Sequence, residues 1–150
     1  MSETSDLIKL YSARILALTA EIPHLERLEA PQASVRKRSP LCGSTVTVDL
    51  DLEGGRVSRF GQEVKACALG QAAAAVLGGA VLGRSIAELE RAAEQLEAML
   101  KADGPVPDAP FDGFEALIPA REFRNRHTSI LLAVQATTEA ARQAEAARSA

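Results

Sequence analysis

Thr45-Val46-Thr47-Val48-Asp49-Leu50-Asp51-Leu52-Glu53-Gly54-Gly55-Arg56 is the stretch on which the fold turns. Val46, Val48, Leu50 and Leu52 alternate with Thr45, Thr47, Asp49 and Asp51, the period-2 pattern of a strand with one buried and one wet face. Glu53-Gly54-Gly55-Arg56 reads as a hairpin turn, because a two-residue turn asks for positive φ at both central positions and glycine supplies it. The return strand, Val57 to Ala66, alternates less cleanly. Val57 and Phe60 have opposite parity, so a bulge is expected near Gly61. Upstream, Ser34 to Ser39 is a candidate third strand.

On either side the period changes to that of a helix. Leu7, Tyr11, Ile15 and Leu18 recur at helical steps, with Thr4 or Ser5 as a cap and Asp6 suited to the positive first turn. Pro23 stops this helix, and a polar connection runs from His24 to Ala33. After Cys67 the chain is helical and nearly uncharged through Leu82, and Gly83 ends it. Ser85-Ile86-Ala87-Glu88 is a capping box opening a helix with Ile86, Leu89, Ala93, Leu96 and Leu100 on one face. Asp103-Gly104-Pro105 terminates it. Val106 to Ile118 is expected to be a loop anchored by Phe111 and Phe114. Pro119 to Arg126 leads into a last helix with Ile130, Val134 and Thr137 on its core face, and the Ala-rich tail from Ala141 is expected to fray. Strands grouped before helices give an α+β fold, a three-stranded antiparallel sheet covered by N-terminal and C-terminal helices.

The 150 residues fit one domain spanning 1–150, able to bury about 70% of its unfolded surface. With four Phe, one Tyr and no Trp, the core must be aliphatic. A net charge of −3 disfavours a nucleic-acid binder. The polar, acidic N-terminus lacks the pattern of a secretory signal, and the Cys67–Leu82 run is short for a bilayer span. A cytoplasmic location, with reduced cysteines and neither membrane nor nucleic acid as partner, is the expectation.

Three side chains stand out as chemistry-bearing: Cys42, Cys67 and His127. Cys42 lies in a turn just before the clearest strand, and Cys67 lies where the return strand meets an apolar helix. The hairpin brings the start of one strand beside the end of the next, so the two thiols can be neighbours. Spacing alone leaves this open, since cysteine is often only a small buried hydrophobe. A helix-start position should stabilise a thiolate, so Cys67 is expected to be the more reactive. His127 follows Arg121, Arg124 and Arg126, cations that favour a neutral imidazole with a lone pair for a metal. His24 reads as solvated. Arg36-Lys37-Arg38 reads as solvated surface or as a docking patch for an acidic protein.

Ser39-Pro40-Leu41-Cys42-Gly43-Ser44, Ala66-Cys67-Ala68-Leu69-Gly70-Gln71-Ala72 and Arg126-His127-Thr128-Ser129-Ile130-Leu131, with the proline-bearing segment Ile22 to Ala33, resemble the U-type iron–sulfur cluster assembly scaffolds. This is the family of IscU, the N-terminal domain of NifU, and SufU. The resemblance runs from about Leu7 to Ala136, and the long stretch between Cys67 and His127 is more similar to the SufU type. It implies cluster ligands at Cys42, Cys67 and His127, the last where the family carries its third cysteine. Ser44 stands at the position of the family's aspartate, and Arg126 at that of the histidine found in compact members. Two cysteines, a histidine and a serine thus replace three cysteines and an acid.

The resemblance implies a scaffold or carrier, rather than an enzyme, that holds iron or a transient iron–sulfur cluster. Cys42, Cys67, His127 and Ser44 would gather around the metal, with Cys67 or Cys42 taking sulfur. A cysteine desulfurase and acceptor apo-proteins would be the partners, homodimerisation being left open. The alternatives are a zinc-dependent sulfur acceptor on the same ligands, a hydrolase pairing Cys67 with His127, and a degenerate family member acting as an interaction module.

Overall fold

The computed structural model describes residues 12–149. Their order is α1 (Ala13–Ala20), β1 (Ala33–Arg38), β2 (Thr45–Glu53), β3 (Arg56–Lys65), α2 (Ala68–Ala80), α3 (Ile86–Lys101), a 3₁₀ segment (Asp112–Glu122) and α4 (Arg124–Ser149). The strands form one antiparallel sheet in the order β1-β2-β3. This is the α+β architecture the patterning calls for. Within the described residues α1 is capped by the Ser12 hydroxyl, which accepts from the Ile15 amide; the helical face at Leu7 and Tyr11 and its caps at Thr4, Ser5 and Asp6 lie outside them.

The β2–β3 turn forms as its glycines require, with φ of +60° at Gly54 and +77° at Gly55. The bulge falls elsewhere than at Gly61. Asp51 pairs with Arg59 but Leu52 pairs with Val57, so Ser58 is the extra residue, and Gly61 sits in regular register with Asp49. Val46, Val48, Leu50 and Leu52 are buried on the core face. The opposite face is drier than alternation suggests, because Asp49 is completely buried.

The connection between α1 and β1 explains this. It lies across the outer face of the sheet as a strap. Arg27 Nε donates to Asp49 Oδ2 at 2.7 Å, the Leu28 amide to the same oxygen at 3.0 Å, and the Ser34 hydroxyl to Oδ1 at 2.6 Å. Burial pushes the Asp49 carboxyl up, but these donors outweigh it and hold the group below the ordinary carboxylate range. The latch therefore persists at neutral pH and weakens as pH falls through that depressed value. His24 is exposed, as expected, at φ +60°, with its carbonyl accepting from the Gln62 amide and its ring edge-on to Phe60.

Helices cover the other face. α4 packs across β1 and β2 and against α2 and α3. α2 is apolar all round because it is buried nearly all round, from Leu69 through Gly78. The capping box at Ser85 and Glu88 forms in full. The segment expected as a loop before α4 winds into 3₁₀ turns, anchored by the buried, stacked rings of Phe111 and Phe114. The expected fraying from Ala141 gives way to helix, because Ala141 and Ala144 are themselves buried. No helix among the described residues is long and apolar enough to cross a membrane.

Candidate functional site

Antiparallel pairing of Thr45 with Lys65 puts the start of β2 beside the end of β3. Cys42 occupies the β1–β2 turn, closed by the Ser39 amide donating to the Ser44 carbonyl at 2.8 Å and the Gly43 amide to the Ser39 carbonyl at 2.9 Å. Cys67 is the N-cap residue of α2. α4 crosses above with Ser129 turned down onto this edge. Gly70 leaves the room for it: a methyl there would lie 2.8 Å from Ser129 Oγ.

Four side chains form one hydrogen-bonded row. Cys42 Sγ lies 3.0 Å from Ser44 Oγ, Ser129 Oγ donates to Ser44 Oγ at 3.0 Å, and Cys67 Sγ lies 3.6 Å from Ser129 Oγ. A hydroxyl has one proton to give. Ser129 gives its own to Ser44, and the Ser44 proton is available to the Cys42 sulfur. The row thus offers the Cys42 sulfur a hydroxyl donor, the contact that stabilises a thiolate.

The ionisation of Cys42 agrees. Its thiol is lowered from 9.0 to about 7, first by the Ser39 hydroxyl and then by that of Ser44, with the Ser44 amide and Ser129 adding and burial opposing. Ser39 is fully buried and its hydroxyl makes no hydrogen bond among the described residues, so it is free to serve the Cys42 sulfur. Cys42 itself is exposed, beside Leu41 at 69% exposure. The α2 boundary falls where the sequence places it, and the acidifying contacts gather on Cys42. Alkylation of the reduced protein should accordingly label Cys42 first, with a rate that rises through a midpoint near pH 7. Ser44→Ala should move that midpoint upward. Mass-spectrometric mapping of iodoacetamide labelling against pH checks this, and first labelling at Cys67 would contradict it. Because the folded thiol is the more acidic, its contribution to stability is complete above pH 9 and lost as pH falls through about 7.

His127 does not join the two thiols. It precedes Ser129 by two residues, about 200° around the helix. It shares the phase of Thr138, whose hydroxyl reaches the Leu89 carbonyl of α3. Its ring is buried with Nε2 against the carbonyls of Ala120 at 2.9 Å and Arg121 at 3.1 Å. The residue of α4 that completes the row is Ser129, which the sequence reading passed over. The signal that would have found it is its place in the phase of the buried Ala133, Ala136 and Ala140. Among the described residues, no three His, Cys, Asp or Glu side chains stand together as a metal site would require. Two thiols and two hydroxyls do not fit the three-thiolate set of the scaffolds that the motifs resemble.

No protein-family model matches the chain, and no curated protein matches it. Solved structures do. An iron–sulfur cluster assembly scaffold protein of the SUF system from the thermophile Fervidobacterium islandicum AW-1 superposes with a TM-score of 0.79 over 89% of this chain and 98% of its own, at 18% identity, a likeness of fold. The N-terminal part of a nitrogen-fixing NifU-like protein from Brucella abortus superposes with a TM-score of 0.91 and is 38% identical, over 94% of this chain and 98% of that one. Identity at that level along nearly the whole of both chains means that this chain belongs to the NifU-like family, as a relative of its N-terminal module.

Proposed function

We propose that the protein is a scaffold-type carrier of iron–sulfur cluster assembly, acting in the cytoplasm, whose sulfur-accepting group is Cys42. The observation that supports this reading is the serine-linked row between the two thiols, which leaves the ionisable one exposed. A cysteine desulfurase would present a persulfide. The Cys42 thiolate attacks its terminal sulfur, an S–S bond forms on Cys42, and the donor's S–S bond breaks to release the donor cysteine as thiolate. Electrons balance with no outside reductant. Ser39 and Ser44 hold the attacking sulfur charged near neutral pH. Iron is cargo in this reading, as would be zinc at the same place. Cys42 and Cys67 are the donors offered, Ser44 adds a neutral oxygen, and the remaining positions fall to water or to an acceptor apo-protein.

The test is anaerobic incubation with a cysteine desulfurase and free cysteine, followed by alkylation and mass mapping. One added sulfur on Cys42 is expected. Cys42→Ala should abolish it, Ser44→Ala should slow it at pH 7 more than at pH 9, and His127→Gln should leave it unchanged. Absence of any added sulfur or bound iron on the wild-type chain would favour an interaction module instead.

A further inference from the structure

The opposite side of α4 from the thiols holds a second polar concavity that the sulfur chemistry does not use. It is a cavity of about 470 Å³ between the end of α3 and the start of α4, lined by Lys101, Asp103, Arg121, Arg124, His127 and Thr128. Three of these are cations and one is an acid. Lys101 and Arg124 are exposed; Lys101 pairs with Glu97 at 3.3 Å, whereas Arg124 makes no ion pair among the described residues. Arg121 is built in: its Nε donates to the Met99 carbonyl at 2.7 Å and an Nη to the Gly104 carbonyl at 2.6 Å, which fixes its charge at the wall. Asp103 stands 3.8 Å from it, with its side chain 89% exposed and turned to water.

His127 gives the cavity a polar wall from within. It is 4% exposed. Carbonyl oxygens only accept, so the contacts to Ala120 and Arg121 fix the proton on Nε2. Nδ1 is then the ring nitrogen without a partner among the described residues, on a ring that lines the cavity. This nitrogen is therefore open to the cavity, where its lone pair can accept a hydrogen bond from a ligand.

We propose that this cavity binds an oxyanion, specifically the phosphate group of a small molecule. Arg121, Arg124 and Lys101 supply the charge, and the Thr128 hydroxyl is a neutral donor. His127 Nδ1 accepts from the hydroxyl of a hydrogen phosphate, which distinguishes this ligand from a carboxylate without a proton to give. A metal cation is disfavoured by the same three positive charges. The inference stands apart from the sulfur-carrier reading, since no residue is shared between the two sites.

The test is a titration of the isotope-labelled full chain with inorganic phosphate, followed by amide shifts. Shifts confined to residues 100–104 and 120–128 are expected. Lys101→Gln with Arg124→Gln should weaken binding at least tenfold, and His127→Gln, whose amide N–H can still reach the carbonyls, should weaken phosphate while sparing sulfate. The rate of Cys42 alkylation, which reports the other site, should not change in either variant. Unchanged affinity in the double variant, shifts centred on Arg36 and Arg38, or binding of polyglutamate in preference to phosphate would overturn the proposal.

Discussion

Ser129→Cys is expected to turn a two-thiol site into one that retains a divalent metal, raising affinity for zinc or iron(II) by about a hundredfold. Structural zinc sites with four ligands release on the order of 10–16 kcal/mol, or roughly 3 kcal/mol per ligand, and each tenfold in affinity is about 1.4 kcal/mol. The position is suitable because Ser129 Oγ already lies 3.6 Å from Cys67 Sγ and 3.0 Å from Ser44 Oγ. A sulfur in its place stands between the two thiols that it would join. Adding Ser44→Asp should raise affinity further, since a carboxylate brings charge where the hydroxyl brings none. The comparison that decides the geometry is His127→Cys. Its thiol would face the carbonyls of Ala120 and Arg121, on the other side of α4, so it should gain nothing. Anaerobic titrations of the wild type and the three variants against a chromogenic chelator measure this. Metal uptake by His127→Cys equal to that of Ser129→Cys would mean that α4 turns to place residue 127 over the thiols.

The contrast between these two positions marks where sequence reading stops. The β2–β3 hairpin is written locally: Val46 to Leu52 alternate, and Gly54-Gly55 fit only a turn with positive φ. The capping box at Ser85 and the termination near Gly104 are local as well. The phase of α4 is not, because its start is a run of charges that fits either face; packing on α2, where Gly70 makes room, selects Ser129 for the thiols. The candidate site was therefore legible at Cys42, Cys67 and Ser44, which sit at strand and helix ends, but not on the long helix. Asp49 is a second case. Alternation assigns it to water, and only Arg27, folded back across 22 residues, makes its burial tolerable. The reactivity order expected of the thiols rests on different information: a helix start near Cys67 is visible in the sequence, whereas Ser39, Ser44 and Ser129 meet Cys42 only after the turn closes and α4 docks.

Gly61→Ala is expected to destabilise the protein by roughly 3 kcal/mol, the upper end of what an inserted methylene costs in a packed interior. That corresponds to a fall in Tm of about 10 °C for a chain of this size. The backbone at Gly61 is ordinary strand, so conformational freedom is not the reason for glycine there. The reason is the strap. A methyl at Gly61 would penetrate the Glu26 carbonyl oxygen and press on Leu28 at 3.2 Å. The strap cannot retreat. Next to the clash the Gln62 amide holds the His24 carbonyl at 2.9 Å, and the Gln62 side chain donates to the Pro23 carbonyl at 3.1 Å. Beyond it the Leu28 amide is bound to Asp49. Accommodating the methyl means releasing one of these anchors, and Asp49 would then be left with a charge and fewer donors in a dry place. Gly79→Ala is the matched control. It lies in α2, a Cβ there would meet nothing within 4 Å, and helix propensity favours alanine by about 0.5–1 kcal/mol. Urea unfolding of both variants should thus move in opposite directions, Gly61→Ala down and Gly79→Ala up. Because the strap touches neither thiol, the alkylation midpoint of Cys42 should stay near 7 in folded Gly61→Ala. A Gly61→Ala protein as stable as the wild type would mean that the strap is not fastened to the sheet in solution.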